Sequence, residues 1–323
     1  MIRWVIIKGG NKMYPWHSRF HMGLIHFMAY PDAKTEEEIL STVKKVLIDE
    51  FFQAIEISAL VEKPVLEKIA KMCEIAKVEL LIAAQPLILA KGLNLNSLKE
   101  ENRKKAVEEI KNSIDKAYLT KAKAVALLSG KMVKEDQLEA AKKQLVKSLR
   151  ELCQYSQQLS EQFNHSVGIN LEIFDWSIDK KALIGPAPVA FEIASYVRSY
   201  HQNFGLTIDL SHQPLVFEDS FYTIQLLSPF ITHVHIGNAV LKKDHPAYGD
   251  LHPRFGIDHG ANDVEQLTYF LKSLEKTGYF DKKTATEKPV ISFEVKPLPG
   301  EDPDLVVANA KRIFLSAYGN LLK

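Results

Sequence analysis

Cysteine is almost missing: Cys73 and Cys153 are the only two in 323 residues, each inside a helix-like segment, LEKIAKMCEIAK and LRELCQYSQQL. A disulfide scaffold is therefore not expected, and the pair reads as buried thiols in a reducing compartment. Nor is there a run of the roughly 18 apolar residues that spans a bilayer, and MIRWVIIKGGNKMYPW at the N-terminus is too briefly apolar for a signal peptide. A soluble, cytoplasmic protein with no membrane partner is the expectation. An excess of either charge is also lacking, since 41 Lys and Arg face 40 Asp and Glu for a net +1. Nucleic-acid binders usually carry a basic surplus, so a phosphate backbone is a poor choice of main partner. No dedicated phosphate motif occurs: GIDHG at 256–260 is loop punctuation as readily as an anion nest.

Linkers, internal repeats and low-complexity tracts are absent as well, and 46% hydrophobic residues can fill one large core. Apolar, β-rich runs recur at 21–30, 53–60, 79–86, 124–130, 167–173, 206–210, 231–238 and 290–297. Helical patterns separate them at 35–52, 64–76, 97–120, 135–163, 188–201, 217–227 and 263–277, and a last one at 304–318 closes the series. Eight strands alternating with eight helices predict an α/β fold, a (β/α)8 TIM barrel, over residues 20–323. Residues 1–19 form an extension, read as an added edge strand or lid. One connection is unusually long, the 25 residues 239–263 after the seventh strand. Loops of that length in compact barrels are commonly functional, and this one carries His245, Asp250, His252 and Arg254.

Four strands end on side chains that are costly to bury unless something binds them. In VGINLEIFD, LTIDLSHQP, ITHVHIGN and VISFEVKP these are Glu172, Asp209, His235 and Glu294, at intervals of 37, 26 and 59 residues. The first two intervals are single βα steps and the third is stretched by the long loop, so the four can meet at the carboxyl-terminal mouth. A lone rim acid is most often a salt-bridge partner; four on successive strands point to one bound metal. Carboxylates with an imidazole, and no thiolate, suit Mn²⁺, Co²⁺, Zn²⁺ or Mg²⁺. His233 shares a face with His235 by period two, and the ligand is assigned to His235 because it lies nearer the strand end. His212, three residues past Asp209, is expected over the mouth, contacting a substrate hydroxyl or ligating a second metal with Asp250 and His252.

LEIFD, DLSH, HVHIG and FEVKP together resemble the xylose isomerase-like barrel superfamily, over roughly residues 20–315. That superfamily contains ketose 3-epimerases, sugar and inosose isomerases or dehydratases, and apurinic-site endonucleases of the endonuclease IV type. The resemblance implies one divalent ion on Glu172, Asp209, His235 and Glu294, with His212 and an arginine after the seventh strand, here Arg254, on the substrate. In the endonucleases a third metal sits at positions matching His212, Asp250 and His252. Their first metal needs histidines where this chain has Ser58 and Gln85, so the full cluster is not expected and DNA cleavage is the weaker reading.

A divalent ion can chelate adjacent oxygens of a ketose and stabilise the enediolate left when a neighbouring C–H loses its proton. Glu172 and Glu294 are the expected catalytic carboxylates, one removing and one returning a proton. The function expected is thus a metal-dependent sugar isomerase or epimerase. A lyase or dehydratase acting on a cyclic polyol or keto acid is the alternative. Lys296 shares a face with Glu294 and is read as a substrate contact or a salt-bridge partner. Trp176 is read as an apolar floor for a sugar ring. Family resemblance also implies a small-molecule partner and association into homo-oligomers.

Overall fold

The computed structural model describes residues 5–6, 12–13 and 15–322. Strands β1 (His21–Ile25), β2 (Ala54–Ser58), β3 (Glu79–Ala83), β4 (Ala124–Leu128), β5 (Gly168–Glu172), β6 (Phe204–Asp209), β7 (Ile231–Gly237) and β8 (Val290–Glu294) run parallel in sequence order. β8 closes the ring on β1. Outside lie α1 (Glu36–Leu47), α2 (Lys63–Ala76), α3 (Glu100–Leu119), α4 (Leu138–Phe163), α5 (Ala187–Arg198), α6 (Ser220–Leu227), α7 (Val264–Lys276) and α8 (Pro303–Leu321). Several helices are started by local chemistry. Thr35 and Glu38 form a capping box on α1, Asp263 and Gln266 form one on α7, and Asp302 caps α8 ahead of Pro303.

β1 is shorter than the pattern implied. Its ladders to β2 and β8 end by Ile25, and the chain, with nothing left to pair, turns helical over His26–Ala29. His26 is thereby buried outside the barrel, with Nε2 2.8 Å from the Thr42 hydroxyl on α1. For the same reason the third run stops at Ala83 and its tail becomes a helix, Gln85–Lys91.

A small aliphatic cluster, Ala54, Leu81, Ala124 and Val290, packs apart from the main core between sheet and helices. Buried polar side chains lie above it. Glu56 on β2 reaches across the lumen to His233 on β7, the carboxylate 2.8 Å from Nε2. Lumens of this fold are usually filled by branched aliphatic layers, so a buried acid–imidazole pair here points to the rim above it.

Of the N-terminal extension, Val5–Ile6 pairs antiparallel with Lys12–Met13, and Pro15–Ser18 makes one 3-10 turn. The edge strand or lid expected there lies partly outside the described residues. What is described near the barrel is not a lid. Trp16 packs at 5.2, 5.0 and 5.4 Å between ring centroids on Phe51, Phe314 and Tyr318, at the amino-terminal end of the strands, opposite the mouth. No helix among the described residues is long and apolar enough to cross a membrane.

Candidate metal centre

β5 to β8 carry Glu172, Asp209, His235 and Glu294 to the carboxyl-terminal rim, where one donor atom from each lies within 4.8 Å of the others. Strand register arranges this. Asp209 stands beside His235, and Glu294 beside Gly237. Gly237 has to be glycine, because a Cβ there would sit 2.3 Å from the Glu294 carbonyl oxygen and 3.2 Å from His252 Nδ1. His235 is shared between two environments: Nδ1 is 3.1 Å from Glu172 Oε1 and 2.9 Å from Glu294 Oε2, while Nε2 is 3.3 Å from Glu56 Oε1. A carboxylate on one ring nitrogen fixes which nitrogen offers its lone pair to a metal. Here that is Nδ1.

A second group adjoins the first. His212 Nδ1 donates to the Ile173 carbonyl at 2.6 Å, which turns Nε2 toward Asp250 Oδ1 at 3.0 Å. His252 Nε2 meets the same oxygen at 2.8 Å, and Asp209, His212 and His252 also form a metal-compatible set. The long loop delivers His252 through a left-handed backbone, φ 51°, which costs a non-glycine residue about 1 kcal/mol. Ser211 bridges the groups, its hydroxyl donating to Asp209 Oδ2 and lying 3.2 Å from His252 Nδ1. Loop ends are pinned by Asn262, whose amide donates to the carbonyls of Leu210 and Gly237.

Glu56, Glu172, Asp209, Asp250 and Glu294 are five acids buried in one small volume. Such crowding is tolerable only with compensating positive charge. In the metal-free protein the imidazoles supply it. Burial alone would keep His212 neutral, but Asp250, Asp209 and Glu172 together outweigh it and hold its pKa well above the ordinary value. Burial opposes the charge on His235 likewise, and Glu56 and Glu172 overcome it. His252, similarly buried, is lifted to about 9 by Glu294, Asp250 and Asp209. For the acids, burial is opposed and overcome by His233 and His235 at Glu56 and by His212 and His252 at Asp250, so both lie well below the usual range. Glu294 goes the other way, raised by burial and then by the like charge of Glu172 after the pull of His252.

The donor set fits a divalent cation by a further sign. His212 Nε2 and Asp250 Oδ1 in the second group, and Glu294 Oε2 in the first, are buried atoms within ion-pair range of a neighbour that lack hydrogen-bond geometry. Charge draws them together while alignment is missing. A cation held by either group would satisfy its orphaned atoms.

The other residues singled out from the sequence fall in different places. Lys296 lines the mouth, a cavity of about 180 Å³. Arg254 does not: its guanidinium is turned onto Glu301, Nε to Oε1 at 2.8 Å. Trp176 is also outside that lining, 41% exposed and packed over Gly185. His245 folds back into its loop, Nδ1 accepting from the Ala247 amide. Ser58 spends its hydroxyl on the Leu60 amide, and Gln85 donates its side-chain amide to Glu172 Oε2 at 2.6 Å. A hydroxyl and a neutral amide thus stand at the two positions where a larger cluster would need histidines.

Lys180 is the contact that the sequence did not flag. Asp175 accepts the backbone amides of Ile178, Asp179 and Lys180, winding the segment after β5 so that the Lys180 ammonium lies 3.0 Å from Asp250 Oδ2 and 3.1 Å from Asp179. The only hint was the run of turn formers in DWSIDKK, and nothing in it specifies the partner.

Similar structures share this architecture. One titled a D-tagatose 3-epimerase-like protein aligns with TM-score 0.69 at 18% identity, covering 94% of this chain and 100% of its own. D-psicose 3-epimerase from Clostridium cellulolyticum H10, solved with D-tagatose, aligns with TM-score 0.67 at 14% identity over 94% and 99%. IOLI protein, solved with a zinc atom, aligns with TM-score 0.68 at 15% identity over 94% and 99%. No sequence among the curated proteins matches. The model of the xylose isomerase-like TIM barrel family matches residues 49–309, and the chain belongs to that family.

Proposed function

We propose that this protein is a divalent-metal-dependent sugar isomerase or epimerase, moving a proton at the carbon next to a ketose carbonyl. The observation that carries the reading is the meeting of Glu172, Asp209, His235 and Glu294 from four successive strands around one point. The printed titles of the similar structures, two of 3-epimerase type and one with zinc, support it.

When bound, a divalent ion supplies a Lewis acid to two neighbouring substrate oxygens. The chain's own residues do the rest. Glu172 and Glu294 are the bases, one taking the proton from the C–H and the other returning a proton. Return to the opposite face of the same carbon is epimerisation, and delivery to the next carbon is isomerisation. Gln85 holds Glu172 by one oxygen and fixes its orientation, whereas Glu294 Oε2 has no aligned donor. His212, anchored through Nδ1, presents Nε2 to a substrate oxygen. Asp209, His212 and His252, with Asp250 beside them, offer a second cation set on the same floor. A lyase or dehydratase would use the same residues and expel water instead, which the absorbance of an unsaturated product reveals.

Bound metal after dialysis, and turnover of a ketose panel with Mn²⁺ or Co²⁺, test the reading. At least one tightly held ion per chain is expected, with turnover of at least one ketose. Glu294→Gln should lose about 100-fold or more in kcat with an unchanged circular dichroism spectrum. A protein that retains no metal, or a variant with undiminished turnover, defeats the proposal.

A further inference from the structure

Polar groups around the mouth are nearly all committed to one another. Glu56 is occupied by His233 and His235, Glu172 by Gln85 and His235, and Glu294 lies between His235 and His252. Asp250 is engaged by His212, His252 and Lys180, and the Lys180 ammonium has its charge matched by two carboxylates. Lys296 is the exception. It lines the cavity half-buried, its backbone amide donates to the His252 carbonyl, and its ammonium has no acid partner among the described residues. Arg254, the other cation expected on the substrate, is neutralised by Glu301.

A cation in the wall of a cavity with no counter-ion is open to an anion, which it binds more strongly than a neutral hydroxyl. Position matters too. Lys296 lies two residues past Glu294, and two residues of chain span at most about 7 Å. That distance is on the scale of the separation between the reacting carbons of an open-chain hexose and its far end. A cavity of about 180 Å³, open to solvent at the mouth, has room for the carbon chain of such a molecule.

Resting on the sugar isomerase or epimerase reading, we propose that the substrate carries an anionic group, a carboxylate or a phosphate ester, at the end remote from the reacting carbons, and that Lys296 binds it. Lys296 is then the residue that sets specificity against neutral sugars.

The test is calorimetric titration of the metal-loaded protein with three ligands: a neutral ketohexose, its terminal phosphate ester, and the corresponding keto-uronate. At least one anion should bind about tenfold or more tightly than the neutral sugar, as a charge-assisted hydrogen bond predicts, and whichever does so identifies the group. Lys296→Met should bring that ratio close to one, and Lys296→Arg should retain most of it. Attraction of the anion to the metal is common to all three proteins and cancels in the comparison. Equal binding of all three ligands, a preference that survives in Lys296→Met, or no binding of any of them overturns the inference. A Lys296-dependent preference with no proton exchange or isomerisation of any bound sugar would leave the inference standing and defeat the sugar isomerase or epimerase reading instead.

Discussion

At the scale of single residues, the centre depends on side chains that never need to touch a metal. Glu56 lies 3.3 Å from His235 Nε2 and 2.8 Å from His233 Nε2, so it sets both the tautomer and the tilt of the ring whose Nδ1 faces Glu172 and Glu294. Glu56→Gln removes the charge and keeps the shape. Metal affinity, measured by competition with a chromophoric chelator, should fall about 10- to 100-fold without loss of fold; an unchanged affinity would reduce Glu56 to a structural pair with His233. Residue-level legibility follows the same division. The convergence of Glu172, Asp209, His235 and Glu294 was readable because each follows an apolar run, and a charge at a buried strand's end has few explanations. Arg254 and Trp176 lie outside the mouth lining because loop and surface side chains choose partners by tertiary geometry, here Glu301 and Gly185. Lys180 was missed because its position is set by the Asp175 turn and its partner, Asp250, lies 70 residues on.

At the scale of elements, all eight strands and their helices were visible as alternating patterns, whereas their ends were not. The end of β1 illustrates why: a run of apolar residues continues to 30, but the ladder that would keep it extended stops at Ile25, so pairing and not composition decides. The displaced residue, His26, becomes a probe of how β1 is clamped to α1. Burial lowers its pKa to about 4 from an ordinary value near 6.5. A histidine with a depressed folded pKa contributes stability that is fully present above 6.5 and is lost as pH falls through 4. Wild-type protein should therefore lose about 3 kcal/mol more than His26→Gln between pH 7 and pH 4, read as the difference of two urea-unfolding series. Parallel curves would mean that the imidazole is already solvated in the native state. The long connection after β7 is tied at its end by Asn262, with hydrogen bonds to the carbonyls of Leu210 and Gly237. Asn262→Ala removes two buried hydrogen bonds, though the Leu210 carbonyl keeps the Gln213 amide, and should cost about 1–2 kcal/mol, together with faster proteolysis within 239–263.

For the whole molecule, the centre joins the last four strands of the barrel, and a cation there would act as a staple between β5, β6, β7 and β8. Its effect must depend on pH, because protons and metal compete for the same atoms. His235, the imidazole among those ligands, is held well above its ordinary value by Glu56 and Glu172 against the effect of burial, and His252, beside Glu294 in the adjoining set, has a folded pKa of about 9 against an ordinary 6.5. A raised folded pKa gives stability that is fully present below 6.5 and is lost as pH climbs through 9, so the metal-free protein should weaken across that window. A metal needs those nitrogens deprotonated, so its affinity rises over the same window and its contribution grows as the protons' contribution fades. At a thousandfold excess over its Kd the ion adds about 4 kcal/mol. The measurement is the gap in Tm between metal-loaded and chelator-stripped protein, which should widen steadily from pH 6.5 to pH 9. A gap that stays constant would mean the imidazoles do not exchange protons for metal, and a gap of zero at every pH would mean that no cation bridges these strands.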